Sequence, residues 1–312
     1  MTKHVKGKLI PLLLITAIGI FIVSLLSITP SSTDETINFD KTAEVPLDHV
    51  GPTLHVAVAA MTSPQTTRRL YRDLILSIGD ELHYSVDFIQ RPTYTEVDKL
   101  LEKHEVDVAF ICSGSYALGH DLYGVELLVV PVIDGKTTYN SNIIVAKDSP
   151  FQSLADLRNH RFAFTSKTSN TGCLAPSFLL ATQDESAQTF FAETLISHGH
   201  DNSVQAVAKG LVDGAAVDSL ILEHMIIEND PDALNVRIIH TSNDFGIPPV
   251  VVPKQLDPKL KQQLRNFFLE AHKTPKGREI LNSLRIDHFT LGNDSDYNSI
   301  REMAQVCAKQ VN

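Results

Sequence analysis

The 312-residue sequence predicts an α/β protein of two similar lobes, each a mainly parallel sheet flanked by helices. Three observations predict it. Short apolar runs alternate with amphipathic stretches along most of the chain, the pattern of βαβ units. Glu105-Val-Asp-Val-Ala-Phe is echoed by Leu211-Val-Asp-Gly-Ala-Ala, and each copy enters a strand that ends in small polar residues, Ser113-Gly114 and Asp218-Ser219. A run of hydroxyls and an amide, Thr165 to Thr171, lies between a short apolar strand and an apolar helix. Ligands in open α/β sheets bind beyond the carboxyl ends of strands. Two such lobes present their polar strand ends to a shared crevice, the arrangement of a venus-flytrap binder that closes by hinge motion.

The elements follow in order. Lys3, Lys6 and Lys8 precede an uncharged apolar run, Leu9 to Ile28, so residues 1–29 read as a signal peptide or a membrane anchor. The basic side stays inside, which places the rest outside the cytoplasm. Residues 30–52, rich in Ser, Thr, Asp and Pro, read as a linker. Strands are expected at 54–60, 84–91 and 106–111, with helices opening at Ser63-Pro64, at Pro92 and at Ser113. Strands at 126–133 and 139–147 flank the turn Asp134-Gly135. After a short helix at 153–157 and a strand at 161–164, residues 178–199 are expected to hold one or two helices. A helix at 202–210, a strand at 212–217, a helix at 219–227 and strands at 236–241 and 250–252 follow, and the chain ends in three helices. The expected lobes are 53–138 with 245–312, and 139–244.

Net charge is −10 and the isoelectric point about 5.7, which argues against a nucleic-acid partner, since phosphate backbones need basic patches. The three cysteines show no CxxC or metal-type spacing and read as small packing residues. Cys173 lies at a helix end, where a thiol pKa can fall, but packing is preferred there too. His198, His200 and Asp201 have a possible ligand spacing without a further cluster, so neither a metal nor a cofactor is expected.

The hydroxyl run carries the chemistry. Free backbone N–H groups and the positive dipole end at a helix N-terminus make an anion site without Lys or Arg. A plain cap needs one Ser, Thr or Asn, and six stand between Thr165 and Thr171. Ser169, Asn170 and Thr171 are the preferred ligand residues, with Thr168 beside them. Ser113 and Gly114 open a second helix from the other lobe, while Thr62 and Ser63 read as a cap. His200 can donate to an oxygen and tune affinity with pH. Asp218 can accept from a protonated oxygen, or cap the helix behind it. Asp213 reads as structural.

Several motifs in this order resemble the phosphate/phosphite/phosphonate-binding proteins of bacterial ABC importers, a branch of the type II periplasmic binding proteins. The resemblance spans about residues 53–290. It rests on Ser169-Asn-Thr-Gly172 with Pro176, on Tyr94 ahead of Val106-Asp-Val-Ala109, on Asp134-Gly135 with Tyr139 and Lys147-Asp-Ser149, and on His198-Gly-His200 ahead of Val212-Asp213. It implies that Tyr94 and Tyr139 bond the anion through their phenol groups. It further implies a small phosphorus oxyanion as ligand, an ABC permease as partner, a location in the periplasm or on the extracytoplasmic face of the cell membrane, and no catalysis. Asn170 stands where the family usually has Thr. The segment around Ile247-Pro-Pro249 lacks the acidic residue that some members use to meet a ligand amine, which favours phosphate, phosphite or a small alkyl phosphonate. Three other readings compete: an anchored sensor partnering a membrane receptor kinase, a hydrolase using Ser169, His200 and Asp218, and a binder of a sulfonate or thiamine precursor. No G-x-S-x-G elbow supports the hydrolase.

Overall fold

The structure is a computed structural model that describes residues 51–310; the segment 1–29 and the linker up to residue 50 lie outside the described residues. Among the described residues no helix is long and apolar enough to cross a membrane.

The chain begins with β1 (Thr53–Val58), α1 (Pro64–Leu82), β2 (Ser85–Gln90), α2 (Tyr94–Glu102), β3 (Val108–Phe110), α3 (Ser113–Tyr123) and β4 (Val125–Val132). It continues through β5 (Thr138–Tyr139), β6 (Ser141–Ala146), β7 (Arg161–Phe164), α4 (Ala175–Ala181), α5 (Ala187–Phe190) and β8 (Glu193–Ile196). Then come α6 (His200–Ala208), β9 (Gly214–Asp218), α7 (Ser219–Ile227), β10 (Val236–Thr241), β11 (Phe245–Gly246) and β12 (Val250–Pro253). The last elements are α8 (Pro258–Glu270), α9 (Pro275–Ser283), β13 (His288–Thr290) and α10 (Asn298–Gln310).

One lobe carries a six-stranded sheet in the order β13-β4-β12-β3-β1-β2, and the other a five-stranded sheet in the order β10-β6-β9-β7-β8. A two-stranded ribbon, β11-β5, lies where the chain passes between them. The central strands β3 and β9 are buried along their whole length, and apart from Asp218 at the end of β9 they carry no polar side chain. That is how strands covered on both faces read.

The sheets are mixed rather than mainly parallel. The βαβ parts run parallel, β1 with β2 and β3, and β7 with β8 and β9. The antiparallel strands are β4, β12 and β13 in one sheet and β6 and β10 in the other. β4 leads out of its lobe and β12 leads back in, so this pair must run in opposite senses. Three further details differ from expectation. β5 and β6 are separate strands broken at Asn140. Residues 178–199 include the strand β8, and β13 adds an edge to the first sheet.

The internal echo has a matching structural basis. Asp107 accepts the backbone N–H of His55 at 2.7 Å and returns its own N–H to the His55 carbonyl at 2.9 Å. Asp213 does the same with Arg161, at 2.9 Å in both directions. Each aspartate thus clips the start of its strand to the start of a parallel neighbour, β1 in one lobe and β7 in the other. Asp213 also holds the Arg161 guanidinium at 2.9 Å, and that hydrogen bond lowers its carboxyl pKa.

Candidate functional site

The site builds from the loop behind β7. Ser169 caps the turn that follows, its Oγ accepting the Gly172 N–H at 3.0 Å. Residues Asn170–Leu174 form a π-type turn in which the Leu174 N–H reaches back to the Ser169 carbonyl at 3.0 Å. Such widened turns recur at functional sites because they push side chains and N–H groups out of the regular ladder. A Cβ at Gly172 would collide with the Thr165 side chain and crowd the His200 ring, so only glycine fits there. Ser169, Asn170 and Thr171 are all fully buried.

The other lobe meets this loop with α2 and α3. Thr93 and Glu96 form a capping box that starts α2. Tyr94, the first helical residue, is 1% exposed. At the head of α3, the Asn170 N–H points to Cys112 Sγ at 3.3 Å. A Cβ at Gly114 would strike the Thr168 carbonyl and the Asn170 nitrogen, so glycine here lets the two backbones meet. Ser113 is buried and donates to the Gly246 carbonyl at 2.6 Å, in the ribbon between the lobes. Tyr139, from β5, is 1% exposed and receives the Asn170 amide N–H at 3.2 Å.

His200 and Asp218 stand together on the second lobe. The His200 N–H bonds the Met61 carbonyl at 2.9 Å. Its Nδ1 accepts the Asp218 backbone N–H at 3.0 Å and touches Thr165 Oγ1 at 3.1 Å. The ring proton therefore sits on Nε2. Burial pushes the His200 pKa down to about 3, so the imidazole is neutral near pH 7 and does not tune affinity by titrating there. Asp218 caps α7 through Oδ1, from the Leu220 N–H at 2.8 Å and the Ile221 N–H at 3.4 Å. Burial raises its pKa to about 7.

Three polar atoms in this set are buried without any partner: Tyr94 Oη, Asn170 Oδ1 and Thr171 Oγ1. Buried polar groups are normally satisfied, and orphaned ones cost about 1–3 kcal/mol each. Their convergence marks a place built for something that brings hydrogen bonds. Burial raises the Tyr94 and Tyr139 pKa values well above the ordinary phenol range, and the neighbouring acidic groups of Cys112 and Asp218 push the same way, so both phenols keep their protons.

One residue escaped the sequence reading. Asp98 lies one helical turn after Tyr94 on α2, and its Oδ2 accepts from Ser115 at 3.1 Å and from Thr168 at 3.3 Å. It joins a hydroxyl of its own lobe to the loop of the other. Thr168 thus spends its hydroxyl on this bridge. Asp98 Oδ1 has no partner, and burial raises the carboxyl pKa to about 6. The i, i+4 spacing from Tyr94 was the available signal.

The remaining expectations sort out as follows. Ser63 precedes α1 without capping it through its side chain; its N–H instead bonds Asp201 Oδ2 at 2.8 Å, across the lobes. Among the described residues no group of three or more His, Cys, Asp or Glu is placed to hold a metal ion. Burial raises the Cys173 thiol to about 11, the opposite of an activated cysteine. The His200 Nδ1 bonds tie it to Thr165 and the Asp218 backbone, so a Ser169–His200 nucleophile–base pair is not assembled through that nitrogen.

A family described as "ABC transporter, phosphonate, periplasmic substrate-binding protein" matches residues 56–297. The phosphonates-binding periplasmic protein of Escherichia coli (strain K12) is 24% identical over 256 residues, covering 80% of this chain and 75% of that protein. Among solved structures, the binding protein component of an ABC phosphonate transporter from Pseudomonas aeruginosa superimposes with a TM-score of 0.79 at 22% identity, covering 83% of this chain and 88% of its own. PhnD1 of Prochlorococcus marinus, solved with methylphosphonate, gives 0.75 at 18% identity, covering 82% and 98%. The two-lobed α/β fold is that of type II periplasmic binding proteins, and the chain belongs to the family of periplasmic substrate-binding proteins of phosphonate ABC transporters.

Proposed function

We propose that this protein captures a small phosphorus oxyanion (phosphate, phosphite or an alkyl phosphonate) outside the cytoplasm and delivers it to an ABC permease, without chemistry on the ligand. The observation that carries the reading is the convergence of orphaned buried atoms from both lobes: Tyr94 Oη from one, Asn170 Oδ1 and Thr171 Oγ1 from the other. Phenol and hydroxyl are donors an oxyanion can satisfy. A half-turn of the Asn170 amide lets Tyr139 donate to its oxygen and turns its NH2 toward the anion. The π-type turn at 170–174 brings a helix N-terminus to the same point. Ligand-binding roles for Ser113, Gly114, Thr168 and Ser169 are supported indirectly, since they shape this wall through the contacts described above. Asp218, with its pKa near 7, shares one proton with a ligand oxygen, a contact that sulfate cannot offer.

The binding motion is lobe closure, with 53–138 and 245–312 as one body and 139–244 as the other. Contacts that join the two sheets' elements only when they meet support it, namely Asp98 to Thr168, Ser63 to Asp201 and Asn170 to Cys112. Titration calorimetry with phosphate, phosphite, methylphosphonate and sulfate tests the reading. Binding of at least one phosphorus species and rejection of sulfate is the expected result; heat from none of the phosphorus species would sink it.

A further inference from the structure

Cys112 is a nucleophile that ligand capture does not use. It is the N-cap residue of α3 and is 2% exposed. Its place follows from the topology. β3 is a central strand, and α3 starts beyond its carboxyl end, the side on which α/β sheets meet their ligands. The sulfur therefore lies on the seam between the lobes. From the other lobe, the Asn170 N–H points at Sγ at 3.3 Å. Asn170 is also the residue whose amide reaches Tyr139 Oη at 3.2 Å and whose Oδ1 has no partner. Cys112 packs in one buried cluster with Tyr94 and Tyr139. The thiol thus adjoins the oxyanion cradle, with Asn170 as the joint.

With the lobes together, the sulfur has no space to grow. Two residues on, a Cβ at Gly114 would strike the Thr168 carbonyl and the Asn170 nitrogen, so the two backbones meet with no room for a methyl group. An atom added to Sγ toward Asn170 drives that backbone away. Burial raises the Cys112 pKa, while the Asn170 and Gly114 N–H groups pull it down and Asp218 of the other lobe pushes it up again. When the lobes part, the burial, Asn170 and Asp218 are withdrawn together. The Gly114 N–H and the positive head of α3 stay, and both favour the thiolate. One thiol is thus inert between the lobes and reactive once they separate. Cys173 differs: it packs on the core of its own lobe, and burial pushes its thiol up to about 11.

We propose that Cys112 is a modification site gated by the ligand: in the open cleft a hydroperoxide oxidises it, and the oxidised receptor no longer shuts on its ligand. The inference rests on the oxyanion and lobe-closure reading. In the step, the Cys112 thiolate attacks one oxygen of the peroxide. An S–O bond forms and the O–O bond breaks. Hydroxide leaves with that electron pair and takes up the proton the thiol lost, giving water. The sulfur is oxidised to a sulfenic acid and the peroxide is reduced. A bound anion holds the second lobe over the sulfur and keeps the peroxide out.

Treatment with hydrogen peroxide, and in parallel with iodoacetamide, tests it. Each is followed by peptide mass mapping of the three cysteines, with and without the tightest binder among phosphate, phosphite and methylphosphonate. That ligand at ~100 times its Kd leaves about one receptor in a hundred unliganded, so modification of Cys112 is expected to slow by about 10- to 100-fold. The half-buried Cys307 serves as the reference and is expected to keep its rate. Protein modified at Cys112 is expected to give no ligand heat by calorimetry. Cys112→Ser keeps an acceptor for the Asn170 N–H, and its ligand heat is expected to survive peroxide; mapping on the parent protein decides the matter if that variant misfolds. Ligand heat without protection of Cys112 overturns this inference alone, as does full affinity after complete modification of Cys112. Equal slowing of all three thiols also overturns it, because exposure then comes from global unfolding. Heat from none of the phosphorus species overturns the oxyanion reading and this inference with it.

Discussion

Replacing Thr171 by valine keeps nearly the same shape and removes one buried hydroxyl that has no partner within the protein. If that hydroxyl exists to meet an anion, its loss weakens binding by the worth of a hydrogen bond to a charged group, about 1.5–3 kcal/mol or ~10- to 150-fold. The protein's own stability has no reason to fall. Thr171 Oγ1 bonds nothing inside the molecule, and its backbone carbonyl keeps the Ser141 hydroxyl at 2.6 Å. The assay is methylphosphonate calorimetry alongside a thermal melt of the unliganded protein. Affinity is expected to drop at least tenfold while the melting temperature stays level or rises. A melting temperature lowered by several degrees with a parallel loss of affinity would mean that Thr171 holds the turn together. Unchanged affinity would remove it from the site.

Other substitutions separate binding from scaffolding. If the lobes close as proposed, the Asp98 carboxyl, raised to about 6 where they meet, takes up a proton on closure, so affinity is expected to be greatest at low pH and lost as pH rises through about 6. Asp218 acts in the same direction up to about pH 7. Asp98→Asn is expected to remove about tenfold of the affinity difference between pH 5 and pH 7, measured by calorimetry against the parent protein; identical pH profiles would refute the bridge. His200 is expected to stay neutral from pH 5 to 8, with flat imidazole proton shifts by NMR, and a midpoint near 6.5 would contradict its burial. Asp213→Ala removes the clip on Arg161 and is expected to lower the melting temperature by ~2–4 °C, from ~1 kcal/mol after allowing for the exposed guanidinium, with affinity untouched.

What the sequence made legible was what local chemistry dictates. The loop at 165–172 announces itself because no single cap needs so many hydroxyls, and the two Val-Asp segments announce equivalent strands because their aspartates clip the same kind of neighbour. What it hid depends on chain segments far apart. β8 went unread because three of its four residues are exposed at a sheet edge, leaving no alternation to find. The antiparallel strands follow from the route of the chain between lobes, which no window of residues contains. Asp98 stayed hidden because its value lies in Thr168, 70 residues away. His200 was assigned a titration by its residue type, and burial removed it.

The unspent hydrogen bonds of the cradle also bear on the economy of transport. An empty, shut cleft strands three polar atoms in the dry, at about 1–3 kcal/mol each. If the lobes close as proposed, the unliganded receptor would shut at most about once in a hundred excursions, and a loaded one would stay shut. A permease that responds to the shut shape then rarely meets a receptor with nothing inside. On that reading the cargo itself would complete the signal, and ATP would not be spent on empty deliveries.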